Sequence, residues 1–233
     1  MSWKVKRFWK EATVIPTDGG YSVHLDQRPV KTPGKQLLVV PTAAMAQAIA
    51  AEWDAQTGPV RPETMPFTRA ANSAIEKVAP QFDDVVALLA AYGDSDLMCY
   101  RAPGPVELTA LQSAAWDPLL DWAHATLNAP LIVATGVIHV PQPAATTRRL
   151  HDLTAAHTHF QIAAFHDLVS LSGSLILAFA VTRNRLSPEQ AWAISRIDET
   201  YQISLWGMDD EAATFAETKR QAFHQAARFW AVC

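Results

Sequence analysis

The feature that most restricts the fold of this chain is a change in hydrophobic periodicity near residue 42. Before that point, residues 12–41 contain three short β-prone runs, centred near Thr13, Val23 and Val39. Turn-forming tripeptides separate or follow these runs: Asp18-Gly19-Gly20, Asp26-Gln27-Arg28 and Pro33-Gly34-Lys35. Such tripeptides join antiparallel strands, and apolar residues alternate with polar ones from Tyr21 to Leu25, as in a half-buried strand. The first part of the chain therefore predicts a small antiparallel sheet.

From Thr42 onwards the pattern becomes helical. Thr42 is a suitable N-cap for an alanine-rich segment that Gly58-Pro59 closes, and Pro80 marks a domain boundary. The later helical segments are Phe82–Tyr92, Glu107–Leu127, Thr146–Thr182, Pro188–Trp206 and Asp209–Ala231. The third is too long for one helix, so we expect a break near Gly173.

These patterns predict an α+β protein with two domains. We expect a small β-rich N-terminal domain with one or two helices in residues 1–80, followed by a mostly α-helical bundle domain. The second domain, residues 81–233, is predicted to be all-helical.

Composition excludes several classes of protein. The formal net charge is −4 and no extended basic run is present, so the electrostatic signature of a nucleic-acid-binding protein is missing. The longest uncharged apolar run, Leu168–Thr182, is too short to span a bilayer, and we expect no stable membrane insertion. The first residues lack the apolar core of a secretory signal, and Cys99 and Cys233 do not form a disulfide framework. We therefore expect a cytoplasmic protein.

The sequence contains none of the common cofactor or catalytic motifs. It has no phosphate-binding glycine loop, no nucleophile elbow and no zinc motif of the HExxH or CxxC type. The helical segment with four histidines does not have metal-ligand spacing, because His157 and His159 point to nearly opposite sides of a helix. We accordingly predict neither a cofactor nor a metal.

An enzymatic alternative depends on two small groups of residues. His24 and Asp26 lie on one face of a predicted strand, as a general base and its orienting partner would, although Asp26 also suits a turn. Asp94 and Asp96 either pair as carboxylates or cap the next segment, and Cys99 suits a buried thiol. The alternative is a small-molecule hydrolase or transferase using His24 or the Asp94/Asp96 pair, which requires a pocket that joins these groups.

The segment Pro188–Trp206, taken as one helix, carries two stripes of side chains. The first is the expected core stripe: Gln190, Ile194, Ile197, Tyr201 and Leu205. The second lies opposite: Trp192, Arg196, Glu199, Ile203 and Trp206. A helix that is apolar on both sides is either buried inside a bundle or bound by another protein, and aromatic residues around a charged pair are typical of interfaces. The pattern leaves both interpretations open.

Five segments resemble a known protein family in the same order along the chain. They are "RFWKEATV", "GYSVHLDQRPVKTPG", "AAEWDAQTGPVRPETMPFTRAANSAIE", "YGDSDLMCYRA" and "SRIDETYQISLWGMDDEA". They are similar to the assembly chaperones for the catalytic head of F-type ATP synthase, specifically the family that attends the α subunit. Only small departures occur: Phe67 replaces a smaller aliphatic residue, and Glu76 replaces Asp.

The resemblance implies a two-domain chaperone without enzymatic activity. Such a protein binds the unassembled α subunit and shields the surface that later meets the β subunit. Glu199 matches the acid that is critical in the family, and Trp53 matches a tryptophan to which we assign a structural role. The family is alphaproteobacterial or mitochondrial, so the implied compartment is the bacterial cytoplasm, or the mitochondrial matrix for eukaryotic relatives.

Overall fold

A computed structural model of the chain describes residues 6–233 and confirms the predicted α+β class. The strands are β1 (Ala12–Thr17), β2 (Gly20–Leu25), β3 (Arg28–Pro29), β4 (Val39–Val40), β5 (Tyr100–Arg101) and β6 (Ala134–Thr135). The helices are α1 (Ala43–Asp54), α2 (Pro66–Ser73), α3 (Phe82–Ala90), α4 (Val106–Trp122), α5 (Ala144–Ala155), α6 (His159–Ser172), α7 (Leu175–Thr182), α8 (Pro188–Ser195), α9 (Ile197–Trp206) and α10 (Asp210–Trp230).

The N-terminal sheet forms where the sequence predicts it. Strands β1 and β2 pair antiparallel, with Ala12 opposite Leu25, and both β3 and β4 also pair with β2. Gly20 is required at the start of β2, because a Cβ atom there would lie 2.3 Å from the carbonyl oxygen of Val40. The turn after β2 has Asp26 at φ 55°, which confirms that this aspartate serves the turn.

The chain divides into two compact units. Unit 1 consists of Met1–Phe82, of which 6–82 are described, together with His159–Ala163 and Arg228–Cys233. Its core lies between the sheet and α1, where Leu38, Met45 and Ile49 are fully buried. Thr42 caps α1, as predicted, by accepting a hydrogen bond from the backbone N–H of Met45. The late residues belong to this core as well, since Phe229 is buried with its ring centroid 6.0 Å from that of Phe67.

Unit 2 consists of Asp83–Thr158 and Ala164–Ala227. All residues of α7 from Leu175 to Val181 are buried, as expected for a helix that is apolar on every side. The predicted break near Gly173 is confirmed: Gly173 has φ +73°, and Ser174 caps α7. A second break at residues 156–158 divides the long segment into three helices, where two were expected. Unit 2 also contains the short parallel pair β5–β6, which the sequence pattern does not predict.

The prediction of one helix from Pro188 to Trp206 is wrong. Helix α8 begins as predicted, with a capping box formed by Ser187 and Gln190, but it ends at Ser195. Arg196 has φ −113° and ψ 20°, which is not helical, and α9 then begins at Ile197. Within residues 6–233, no helix combines the length and the apolar character needed to cross a membrane.

Candidate protein-binding surface

The break at Arg196 separates the residues that the sequence had placed on one stripe. Ser195 is buried, and its hydroxyl donates a hydrogen bond of 2.7 Å to the carbonyl oxygen of Trp192, while the N–H of Arg196 donates to Ala193. A projection at 100° per residue is therefore valid only within α8 or within α9. The two tryptophans at the ends of this segment consequently have different surroundings.

Trp192 lies inside unit 2. Its side chain is only 7% exposed, and its ring centroid is 5.6 Å from that of Phe223 on α10. The guanidinium carbon of Arg196 lies over the indole ring of Trp192, 5.0 Å from its centroid. Trp192 thus presents little surface to a partner and contributes packing and a cation–π contact instead.

Glu199 lies at the surface, beside the break. Its Oε1 accepts a hydrogen bond from Nη1 of Arg196 at 2.9 Å, which is the ion pair that the spacing of the two residues predicts. The side chain of Glu199 is 52% exposed, whereas that of Arg196 is 24% exposed. The carboxylate is therefore accessible to solvent and to a partner.

The first turn of α9 is fixed to the rest of unit 2 by polar contacts. Nε2 of Gln112 on α4 donates to Oδ1 of Asp198 at 2.7 Å. The indole N–H of Trp116, also on α4, donates to the carbonyl oxygen of Ile194 at 3.2 Å. Because Gln112 and Trp116 are buried, these bonds hold the end of α8 and the start of α9 in defined positions. Glu199, one residue after Asp198, is positioned with it.

Beyond this anchored turn the chain exposes a group of large apolar side chains. We call four of them the α9–α10 apolar surface: Ile203, Trp206, Met208 and Phe215. Leu205 is exposed as well but lies on the opposite side of α9 from Ile203. The exposed fractions of these side chains run from 45% for Ile203 to 78% for Trp206, and no residue of α9 is buried. Exposed apolar groups of this size and proximity in sequence are typical of protein-binding sites.

The positions predicted for the two stripes agree only in part with the exposure of their residues in the structure. Ile203 and Trp206 are exposed, as a docking surface requires, together with Glu199. The expected core stripe is wrong for Gln190 and Leu205, both of which are exposed. The predicted stripes do not include Met208 and Phe215, because both residues lie beyond the segment that ends at Trp206.

The residues of the enzymatic alternative, His24, Asp94 and Asp96, form hydrogen bonds with different partners. His24 lies 3.0 Å from the hydroxyl oxygen of its neighbour Ser22 in unit 1. In unit 2, Asp94 accepts hydrogen bonds from the backbone N–H of Gln142 at 2.7 Å and contacts Nε2 of His139 at 2.9 Å.

Asp96 is fully buried, and the hydrogen-bond partners of its carboxylate do not include Asp94. Its carboxylate accepts hydrogen bonds from the backbone of Met98 and Ile176 and from the hydroxyl of Ser174, so it serves as the predicted cap. Burial raises the pKa of Asp96 to about 6. Burial likewise raises the pKa of the Cys99 thiol to about 12, which leaves this cysteine unreactive.

Trp53 lies in unit 1, where its partner is another tryptophan. Its side chain is half-buried and meets that of Trp9 edge to face, with ring centroids 5.3 Å apart. Trp9 is almost fully buried. The described residues contain no group of three or more His, Cys, Asp or Glu side chains with the geometry of a metal site.

Comparisons with known proteins agree in one family. Residues 6–124, just over half of the chain, match the model of the ATP12 chaperone protein family. The chain is 27% identical to mitochondrial protein atp12 of Schizosaccharomyces pombe in an alignment 219 residues long that covers 89% of this chain and 75% of that protein.

Solved structures extend the similarity over the whole chain. The crystal structure of Atp12 from Paracoccus denitrificans matches with a TM-score of 0.97 at 48% identity, covering 99% of each chain. The Atu1473 protein of Agrobacterium tumefaciens matches with a TM-score of 0.90 at 39% identity, covering 97% of this chain and 84% of that one.

Proposed function

This chain belongs to the ATP12 chaperone family, which confirms the resemblance seen in its sequence, and on that premise we propose how it acts. It assists the assembly of F-type ATP synthase by binding the unassembled α subunit. While bound, it shields the surface of the α subunit that later meets the β subunit. It acts in the cytoplasm of an alphaproteobacterium.

The observation that carries this proposal is the α9–α10 apolar surface beside the accessible carboxylate of Glu199. Unassembled subunits expose apolar interfaces that aggregate or pair wrongly, and covering them requires a complementary apolar surface. Trp206 and its neighbours supply that surface. Glu199 supplies orientation, because a carboxylate that meets an Arg or Lys of the client fixes one geometry.

The proposed activity requires neither ATP nor a catalytic group. Shielding depends only on binding and on release when the correct partner competes. No observation favours the hydrolase or transferase alternative: Asp96 is fully buried, Asp94 is occupied by Gln142 and His139, and His24 contacts Ser22. We therefore assign no enzymatic role to these residues.

A refolding experiment tests the proposal. The α subunit is diluted from denaturant with the chaperone, without nucleotide, and aggregation is followed by light scattering. We expect suppression at equimolar chaperone, no further gain on adding ATP, and no suppression by serum albumin at equal mass. An α subunit that aggregates equally with and without the chaperone would refute the proposal.

A further inference from the structure

The charge around the α9–α10 apolar surface is strongly one-sided. Residues 197–216 contain five carboxylates and no Lys, Arg or His: Asp198, Glu199, Asp209, Asp210 and Glu211. Of these, only Glu199 forms an ion pair with a cation of the described chain, namely Arg196. The nearest following cation is Lys219, whose ammonium lies 4.4 Å from the ring centroid of Phe215.

Local structure explains only part of this charge. Asp209 caps α10 by accepting a 2.7 Å hydrogen bond from the N–H of Ala212, and Asp198 accepts from the neutral amide of Gln112. Asp210 and Glu211 favour the start of α10 through the helix dipole, an effect that one carboxylate would supply. Five carboxylates beside exposed apolar side chains therefore give this surface a net negative field.

From this charge, and resting on the proposed function, we propose that the α9–α10 apolar surface recognises a client segment whose apolar residues are flanked by lysine or arginine. Burying the apolar side chains of such a segment covers Trp206 and Met208, and its flanking cations meet the carboxylates that precede and follow these residues in the chain. Complementary charge adds specificity and speeds association, while the apolar contact provides most of the affinity.

The same charge disfavours two other occupants. In a symmetric dimer each copy would place its own five carboxylates against those of the other, and like charges in contact are unfavourable. A membrane surface is disfavoured as well, since anionic headgroups attract basic segments and repel acidic ones. A basic-flanked polypeptide satisfies both the apolar and the charged parts of this surface.

Three labelled peptides with one common apolar sequence test the proposal. They differ only in the residues on both sides of that sequence, which are Lys, Gln or Glu, and binding is measured by fluorescence anisotropy. We expect the Lys-flanked peptide to bind about five- to tenfold more tightly than the Gln-flanked peptide, and the Glu-flanked peptide to bind more weakly. This preference should largely disappear when NaCl is raised from about 0.05 M to about 0.5 M.

Two double variants identify which carboxylates act. Asp210→Asn with Glu211→Gln should reduce the preference for the Lys-flanked peptide at least threefold. Asp83→Asn with Asp84→Asn makes the same change of charge in the first turn of another helix, α3, and should leave the preference unchanged. Trp206→Ala should weaken all three peptides alike.

Several results would overturn the proposal: equal affinity for the three peptides, no binding of any peptide, or self-association of the chaperone that Trp206→Ala abolishes. The refolding experiment with the α subunit is independent of these measurements. If the α subunit is protected but the peptides bind equally, only the basic-flanked client is wrong. If the α subunit is not protected, the proposed function fails whatever the peptides show.

Discussion

The guanidinium carbon of Arg196 lies 5.0 Å from the centroid of the Trp192 indole, while the same side chain bonds to Glu199. Arg196 therefore joins a buried aromatic residue to an exposed carboxylate across the break between α8 and α9. Residues that share one face of a helical projection therefore have different roles on the two sides of this break: Trp192 before it is buried, and Glu199 after it is exposed.

The two tryptophans of this segment should respond oppositely to truncation. Trp192→Ala leaves a large cavity against Phe223, and we expect the free energy of unfolding to fall by about 3 kcal/mol or more. Trp206→Ala removes an exposed side chain and should change the same quantity by less than about 1 kcal/mol, while reducing protection of the α subunit. Urea unfolding and light scattering measure the two effects. A strongly destabilised Trp206→Ala protein would contradict the placement of Trp206 at the surface.

Glu199→Lys should abolish capture of the α subunit without unfolding the protein. The Arg196–Glu199 pair is partly exposed, and such pairs contribute about 1 kcal/mol or less to stability. Thermal unfolding followed by circular dichroism and co-purification with the α subunit measure the two properties. Glu107→Lys, an equal charge reversal at the exposed start of α4, is the control and should retain capture. If Glu199→Lys aggregates or melts early, Glu199 has a structural role instead.

The stability of the protein should depend on pH through Asp96. Its pKa is about 6 in the folded protein against an ordinary value of 3.8, so the folded state binds this proton more tightly than the unfolded state does. The stabilising effect of the protonated acid is complete below the ordinary value and is lost as the pH rises through about 6. Relative to Asp96→Asn, the wild-type protein should lose up to about 3 kcal/mol between pH 4 and pH 7.

Urea unfolding at several pH values measures this difference, with Asp83→Asn at the exposed start of α3 as the control. The control variant should track the wild-type protein across the range. A constant difference in unfolding free energy between wild type and Asp96→Asn would show that Asp96 does not titrate there.

Trp53→Ala should weaken unit 1 and spare client binding. The half-buried indole packs edge to face on Trp9, so its loss should lower the free energy of unfolding by about 2 kcal/mol, and Trp53→Phe should have a smaller effect. Capture of the α subunit, measured per folded molecule, should be unchanged. A fully folded Trp53→Ala protein that no longer captures the α subunit would assign Trp53 to the client-binding surface.

Chain breaks were predictable only where a residue favours one. Gly173 reaches φ +73° without strain, and a glycine within a long helical pattern predicts such a break. Arg196 has no comparable sequence signal. There the hydroxyl of Ser195 bonds locally to the carbonyl oxygen of Trp192, and the indole N–H of Trp116 on α4 bonds to the carbonyl oxygen of Ile194. The contact with Trp116 is tertiary and cannot be inferred from the periodicity of one segment.

The candidate surface was partly predictable for a related reason. Periodicity shows which side chains share a helical face, but it does not show whether another element covers that face. Leu205 is therefore expected in the core although it is exposed, and the pattern leaves open whether Trp192 is exposed or buried, whereas the structure shows it buried. Glu199 was identified by resemblance to the family, not by its pattern, since an acid three residues after an arginine is common on any exposed helix.

The composition of unit 1 has a consequence for the order of synthesis. Its core includes Phe229, and the hydroxyl of Thr42 donates a hydrogen bond to the carbonyl oxygen of Val232. Domains generally fold as they leave the ribosome, the first-made before the later ones. Here unit 1, although its first residues are made first, cannot complete its core until residues 228–233 are translated, which is after all of unit 2 has been made.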